Sequence, residues 1–155
     1  MPTKKNLFYL QTLLLFSGVV FSWGNVLKEF KIYFAAGGQI LQTAGCPVTN
    51  PIITPCFWGA TAFLIALIWS SYIIQAKSTG QISNEIRLKW FLVASTIFGW
   101  GNVALEFYKY YASKMQPIVS CTGVIKSPIY APCFTGSIIF LASLIFTSII
   151  IKKLK

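Results

Sequence analysis

Four apolar runs, at about Leu7–Leu27, Phe57–Ala76, Trp90–Tyr111 and Phe134–Ile151, dominate this 155-residue chain. Each is close to the roughly 20 residues that a helix needs to cross the hydrocarbon core of a bilayer. Within hydrocarbon every backbone N–H and C=O must be satisfied by the protein itself, and for segments of this length that means helices. The sequence therefore predicts an all-α integral membrane protein with four transmembrane helices. The longest connections, about 28 and 22 residues, are too short for a soluble domain, so residues 1–155 are read as a single membrane domain.

Composition excludes much else. Only 10% of residues are charged and none is histidine, against roughly a quarter charged in soluble domains. Without histidine there is no Ser-His-Asp or Cys-His catalysis and no histidine-built zinc site; no metal, catalytic residue or cofactor is expected. The net charge of +10 comes from 13 basic and 3 acidic residues. The basic side chains flank apolar blocks instead of forming a stripe interleaved with aromatics, which points to a lipid bilayer and not to nucleic acid.

The same charges predict orientation, because cytoplasmic flanks collect lysine and arginine. With both termini cytoplasmic, that side holds eight basic residues (Lys4, Lys5, Lys77, Arg87, Lys89, Lys152, Lys153 and Lys155) and the other holds five (Lys28, Lys31, Lys109, Lys114 and Lys126). All four cysteines then fall on the extracytoplasmic side, where disulfides persist. The first run is longer than a signal-peptide core and lacks a small-residue cleavage site before Trp23, so it is read as a span.

A shift of 77 residues superimposes the segment Phe21–Phe30 on Phe98–Phe107, and Pro51–Phe57 on Pro128–Phe134. Two parallel two-helix repeats are expected, at about 7–76 and 88–153, joined by a cytoplasmic connector at about 77–89, in a pseudo-two-fold bundle with extracytoplasmic loops. Among the matched positions, Phe21, Asn25, Glu29 and Tyr33 are answered by Phe98, Asn102, Glu106 and Tyr110, always four residues apart. Four-residue spacing places these side chains on one face of a helix, with Trp23 and Trp100 close by. A carboxylate at the end of a span is costly unless paired, hydrated or protonated. If the first and third helices face each other, Glu29 and Glu106 converge on a cation, a proton or a small polar ligand. The architectural alternative is that Asn and Glu fix how the long loops leave the membrane.

Each half also carries a loop cysteine and one at the start of the next span. The simplest of three connectivities is Cys46 to Cys56 and Cys121 to Cys133, two copies of one staple. Four spans with two extracytoplasmic cysteine pairs resemble, in topology only, the DsbB-type and vitamin K epoxide reductase-type disulfide-generating membrane proteins. That resemblance implies a thiol-disulfide oxidoreductase using a quinone, although no Cys-x-x-Cys motif is present. Against it stand two non-enzymatic readings: an accessory or structural subunit of a larger membrane complex or homo-oligomer, and a ligand-binding module built on the paired Asn-Glu stripes.

Overall fold

The computed structural model describes residues 4–38, 50–76, 78–114, 118–120, 123–125 and 127–154. It is built on four helices: α1 (Lys4–Ala35), α2 (Pro55–Gln75), α3 (Ser78–Ala112) and α4 (Pro132–Leu154). Each contains a stretch long and apolar enough to cross a membrane. Single 3₁₀ turns, Pro51–Ile53 and Pro128–Tyr130, lead into α2 and α4. A short antiparallel pair, β1 (Ile118–Ser120) and β2 (Gly123–Ile125), follows α3 with Val119 opposite Val124; the sequence reading held no strands.

The helices run past the apolar blocks that predicted them. At 32 and 35 residues, α1 and α3 are roughly 50 Å long at 1.5 Å per residue, well beyond the roughly 30 Å hydrocarbon core. The first span was expected to close at Leu27, where lysines begin. Lys28, Glu29 and Lys31 end the apolar run but are good helix formers, so α1 continues to Ala35. The connector expected at 77–89 is likewise mostly helix, the opening turns of α3. Gln81 ties this tight α2–α3 join by donating its amide to the Ala76 and Ile73 carbonyls at 3.1 and 3.4 Å, the second of which also accepts from the Ala76 N–H at 3.2 Å.

The end of α1 depends on backbone handedness. Gly37 has φ +79° and its N–H bonds the Phe34 carbonyl, while the Gly38 N–H bonds Tyr33. This left-handed closure is a common helix stop, and glycine adopts it without the Cβ clash. The corresponding end of α3 uses Lys114, 77 positions on, at φ 55°.

α1 packs chiefly on α2 and α3 on α4; α1–α4 and α2–α3 contacts close the ring. Of the two diagonals, α2–α4 is the short one and α1–α3 the long one. The reason lies in the inward stripes. α2 buries Ala60, Phe63, Ala66, Ser70 and Ile73, and α4 buries Ser137, Phe140, Ser143, Thr147 and Ile150, the same five positions at the 77-residue offset. Small residues let helices approach closely in lipid, where apolar surface alone supplies little drive for association. The hydroxyls of Ser137, Ser143 and Thr147 donate to carbonyls four residues back, at 2.7, 2.8 and 2.9 Å, so they are buried without cost to satisfaction. Where the stripes meet, the Phe63 and Phe140 rings stack at 3.7 Å between centroids and 5° between planes. Gly18 makes room for this stack: a Cβ there would lie 2.5 Å from the Phe63 ring. The outward faces, with Leu13, Val20, Ile68, Trp90 and Ile97 more than half exposed, are suited to lipid.

A non-glycine residue in the left-handed region costs about 1 kcal/mol, so Lys114→Gly is expected to stabilise the protein by roughly 0.5–1 kcal/mol. Thermal unfolding in detergent, followed by circular dichroism, checks this; an unchanged or lower midpoint contradicts it.

Candidate functional site

At the loop end of the bundle a narrow cleft opens between the helices, about 50 Å³ as a cavity and about 480 Å³ when the open space at its mouth is counted. Its walls come from all four helices in matched couples: Phe21 with Phe98, Ser22 with Gly99, Asn25 with Asn102, Pro55 with Pro132, Cys56 with Cys133, Gly59 with Gly136, Ala60 with Ser137, and Phe63 with Phe140. Every lining residue has its counterpart 77 positions away in the lining. The stacked phenylalanines form the deep end, roughly 10 Å below the cysteines at 1.5 Å per residue. Gly59 has open space where a side chain would stand.

Asn25 and Asn102, expected to pair with Glu29 and Glu106, instead donate to the carbonyls of Phe21 and Phe98 at 2.9 and 2.8 Å. One amide hydrogen on each is used this way, and the remaining hydrogen and the amide oxygen are the polar chemistry that each offers to the cleft. The surrounding surface is carbon-rich.

The glutamates do not line the cleft, and α1 and α3, which carry them, lie across the long diagonal. Glu29 is buried, and its Oε2 lies 3.1 Å from the Thr54 hydroxyl. That hydroxyl also lies 2.7 Å from the Pro51 carbonyl and accepts from the Phe57 N–H at 3.4 Å, capping α2. Glu29 thus ties α1 to the turn that starts α2, close to the architectural alternative. In the second half Ala131 stands where Thr54 would be, so Glu106 cannot make the same bond. Tyr33 is buried against Gly38, and Tyr110 is half-buried beside Tyr111 at 5.8 Å. Trp23 and Trp100 also lie outside the cleft. Each meets the first turn of the following helix edge-to-face, Trp23 with Phe57 at 6.1 Å and Trp100 with Phe134 at 6.2 Å.

Of the eight residues expected to bind a ligand, only Asn25 and Asn102 therefore line the cleft. Phe21, Pro55, Cys56 and Gly59 with their counterparts were visible as matched positions, but a four-residue stripe on one helix cannot show which helices share a diagonal.

Cys56 and Cys133 face each other with sulfurs 3.7 Å apart, in contact but not joined by a disulfide, whose S–S length is about 2.05 Å. Cys46 and Cys121 lie outside the described residues, and so do the expected Cys46–Cys56 and Cys121–Cys133 staples. No group of three or more acidic or cysteine side chains with metal-binding geometry occurs among the described residues. Comparison with protein-family models, with curated proteins and with solved structures gives no match.

Removing the Thr54 hydroxyl takes away the one proton shared between the Glu29 carboxyl and the Pro51 carbonyl, and the acceptor for the Phe57 N–H, together worth roughly 1–3 kcal/mol at about 0.5–1.5 per bond. Thr54→Val is therefore expected to destabilise the fold by about that amount, while Ala131→Gly, which removes no such bond, costs less. Denaturant titrations of the two variants side by side provide the comparison; equal losses count against the Glu29–Thr54 tie.

Proposed function

We propose that this protein is a non-enzymatic membrane module that binds a small molecule, apolar in body and hydrogen-bonding at its head, in the cleft between its two halves. The observation that carries this reading is the lining itself: eight matched couples, carbon-rich walls, and one couple of amides with hydrogen-bonding capacity to spare. Preformed, largely apolar concavities with a few convergent polar groups are the usual form of small-molecule sites. Asn25 and Asn102 hold the head of the ligand, Phe21 and Phe98 flank it, and Phe63 and Phe140 limit its depth. A bare cation is disfavoured at this place, since no carboxylate lines it.

In this reading the two halves are copies of one helix–loop–helix unit about a pseudo-two-fold axis along the membrane normal. The excess of basic residues at the terminal end supports placing both termini in the cytoplasm and the cleft at the extracytoplasmic face.

Gly59→Leu tests the proposal, because the added side chain enters open cleft and meets no neighbour at its Cβ. Native mass spectrometry of the protein extracted from its own membranes is expected to show a retained small molecule on the wild type. Gly59→Leu should lose it at least tenfold, with helicity unchanged. Wild-type protein without any retained molecule, or equal retention by the variant, defeats the proposal.

A further inference from the structure

The third acidic residue belongs to neither the cleft nor the matched stripes. Glu85 lies on α3 toward the end of the bundle that carries the termini, and it is wholly inaccessible. Beside it is Gln11 of α1, also wholly inaccessible, whose Nε2 donates to Glu85 Oε2 at 3.4 Å and to Thr147 Oγ1 of α4 at 2.8 Å. The Thr147 hydroxyl spends its own proton on the Ser143 carbonyl at 2.9 Å, so it can only accept from Gln11. This fixes the amide orientation: nitrogen toward Thr147, with both hydrogens committed. Two buried atoms are left over, Gln11 Oε1 and Glu85 Oε1, neither with a hydrogen-bond partner among the described residues.

Both leftovers are acceptors, so the site lacks a donor. An amide and an undissociated carboxylic acid pair through two antiparallel bonds, one N–H to oxygen and one O–H to oxygen. The first is present, from Gln11 Nε2 to Glu85 Oε2, and the orphaned oxygens are the two atoms that the second would join. We propose that Glu85 and Gln11 form a proton-binding site, in which a proton on Glu85 Oε1 is donated to Gln11 Oε1 and the carboxyl carries no charge.

The surroundings favour a proton over other occupants. Among the described side chains, α1 offers no titratable group here beyond the outward Tyr9, and α2 only the exposed Tyr72. Lys152 and Lys153 of α4 and Arg87 of α3 are exposed, Lys89 is half-buried one turn on, and among the described residues no side chain other than Gln11 bonds to Glu85. An isolated carboxylate in such a place is expensive. A hard metal cation is a poor substitute, since it takes about six oxygens or more and only two are uncommitted.

The fold does not demand an acid at this position. Moved by 77 residues, Glu85 corresponds to Phe8, Gln11 to Leu88 and Thr147 to Ser70. Phe8 and Leu88 are buried in the apolar core, so the equivalent place in the other half is filled by hydrocarbon. The acid–amide couple occurs once, in a bundle whose loop-end cleft is matched throughout. A site that serves only packing has a ready apolar solution in the same molecule, and this one departs from it at both partners together.

The chain has three glutamates and no aspartate, which makes the test direct. In the full-length protein with ¹³C-labelled glutamate carboxyls, purified in detergent at neutral pH, NMR should show one carboxyl at the undissociated-acid position. That signal should vanish in Glu85→Gln, persist in Glu29→Gln and Glu106→Gln, and stay put when sodium is replaced by choline. The double variant Gln11→Leu/Glu85→Phe, which copies the other half, provides the same assignment if Glu85→Gln fails to fold. Three ionised carboxylates, an acid signal that survives both Glu85 variants, or a signal that moves with sodium each overturns the proposal. The outcome is independent of what occupies the loop-end cleft.

Discussion

The close passage of α2 and α4 across the short diagonal governs everything else in this molecule. In hydrocarbon, apolar side chains gain little by leaving the solvent, so helices associate where their surfaces fit closely. Alanine, serine and threonine at three- and four-residue intervals give α2 and α4 narrow inner faces, and the bundle closes on them until Phe63 lies flat on Phe140. The longer side chains of α1 and α3 are thereby held apart. The cleft exists because the stacked rings stop the approach below it, while glycines at 59 and 136 leave it unfilled above.

The four spans were legible in the sequence because hydropathy reports directly on the bilayer. Helix limits were not, since Lys28, Glu29 and Lys31 interrupt an apolar run without interrupting a helix. The same confusion hid Glu85. It fell within an expected connector, on the water side, whereas Ser78–Ala112 is one helix that carries it into the packed interior. Burial of an acid depends on what three other helices bring to it, and Gln11 and Thr147 lie 74 and 62 residues away along the chain.

At the loop end, the 77-residue match picks out several positions that line the cleft but does not show which side chains meet there. Reading Asn25 with Glu29 assumed that neighbours on a helix surface bond each other, yet each asparagine bonds a carbonyl of its own helix and Glu29 bonds Thr54. Cys56 and Cys133 come from opposite halves and touch across the short diagonal, while their expected loop partners, Cys46 and Cys121, lie outside the described residues. Which diagonal is short is a property of whole faces, and it decides which residues meet across the bundle.

Where α2 meets α4, several residues face their own counterparts: Phe63 faces Phe140 and Cys56 faces Cys133. A change at one such position alters the partner's surroundings without altering the partner. Tolerated variation should therefore be correlated, with a bulkier ring at 63 admitted only beside a smaller one at 140. α2 and α4 are not free to vary independently along this seam, whereas their outward faces, answering only to lipid, can.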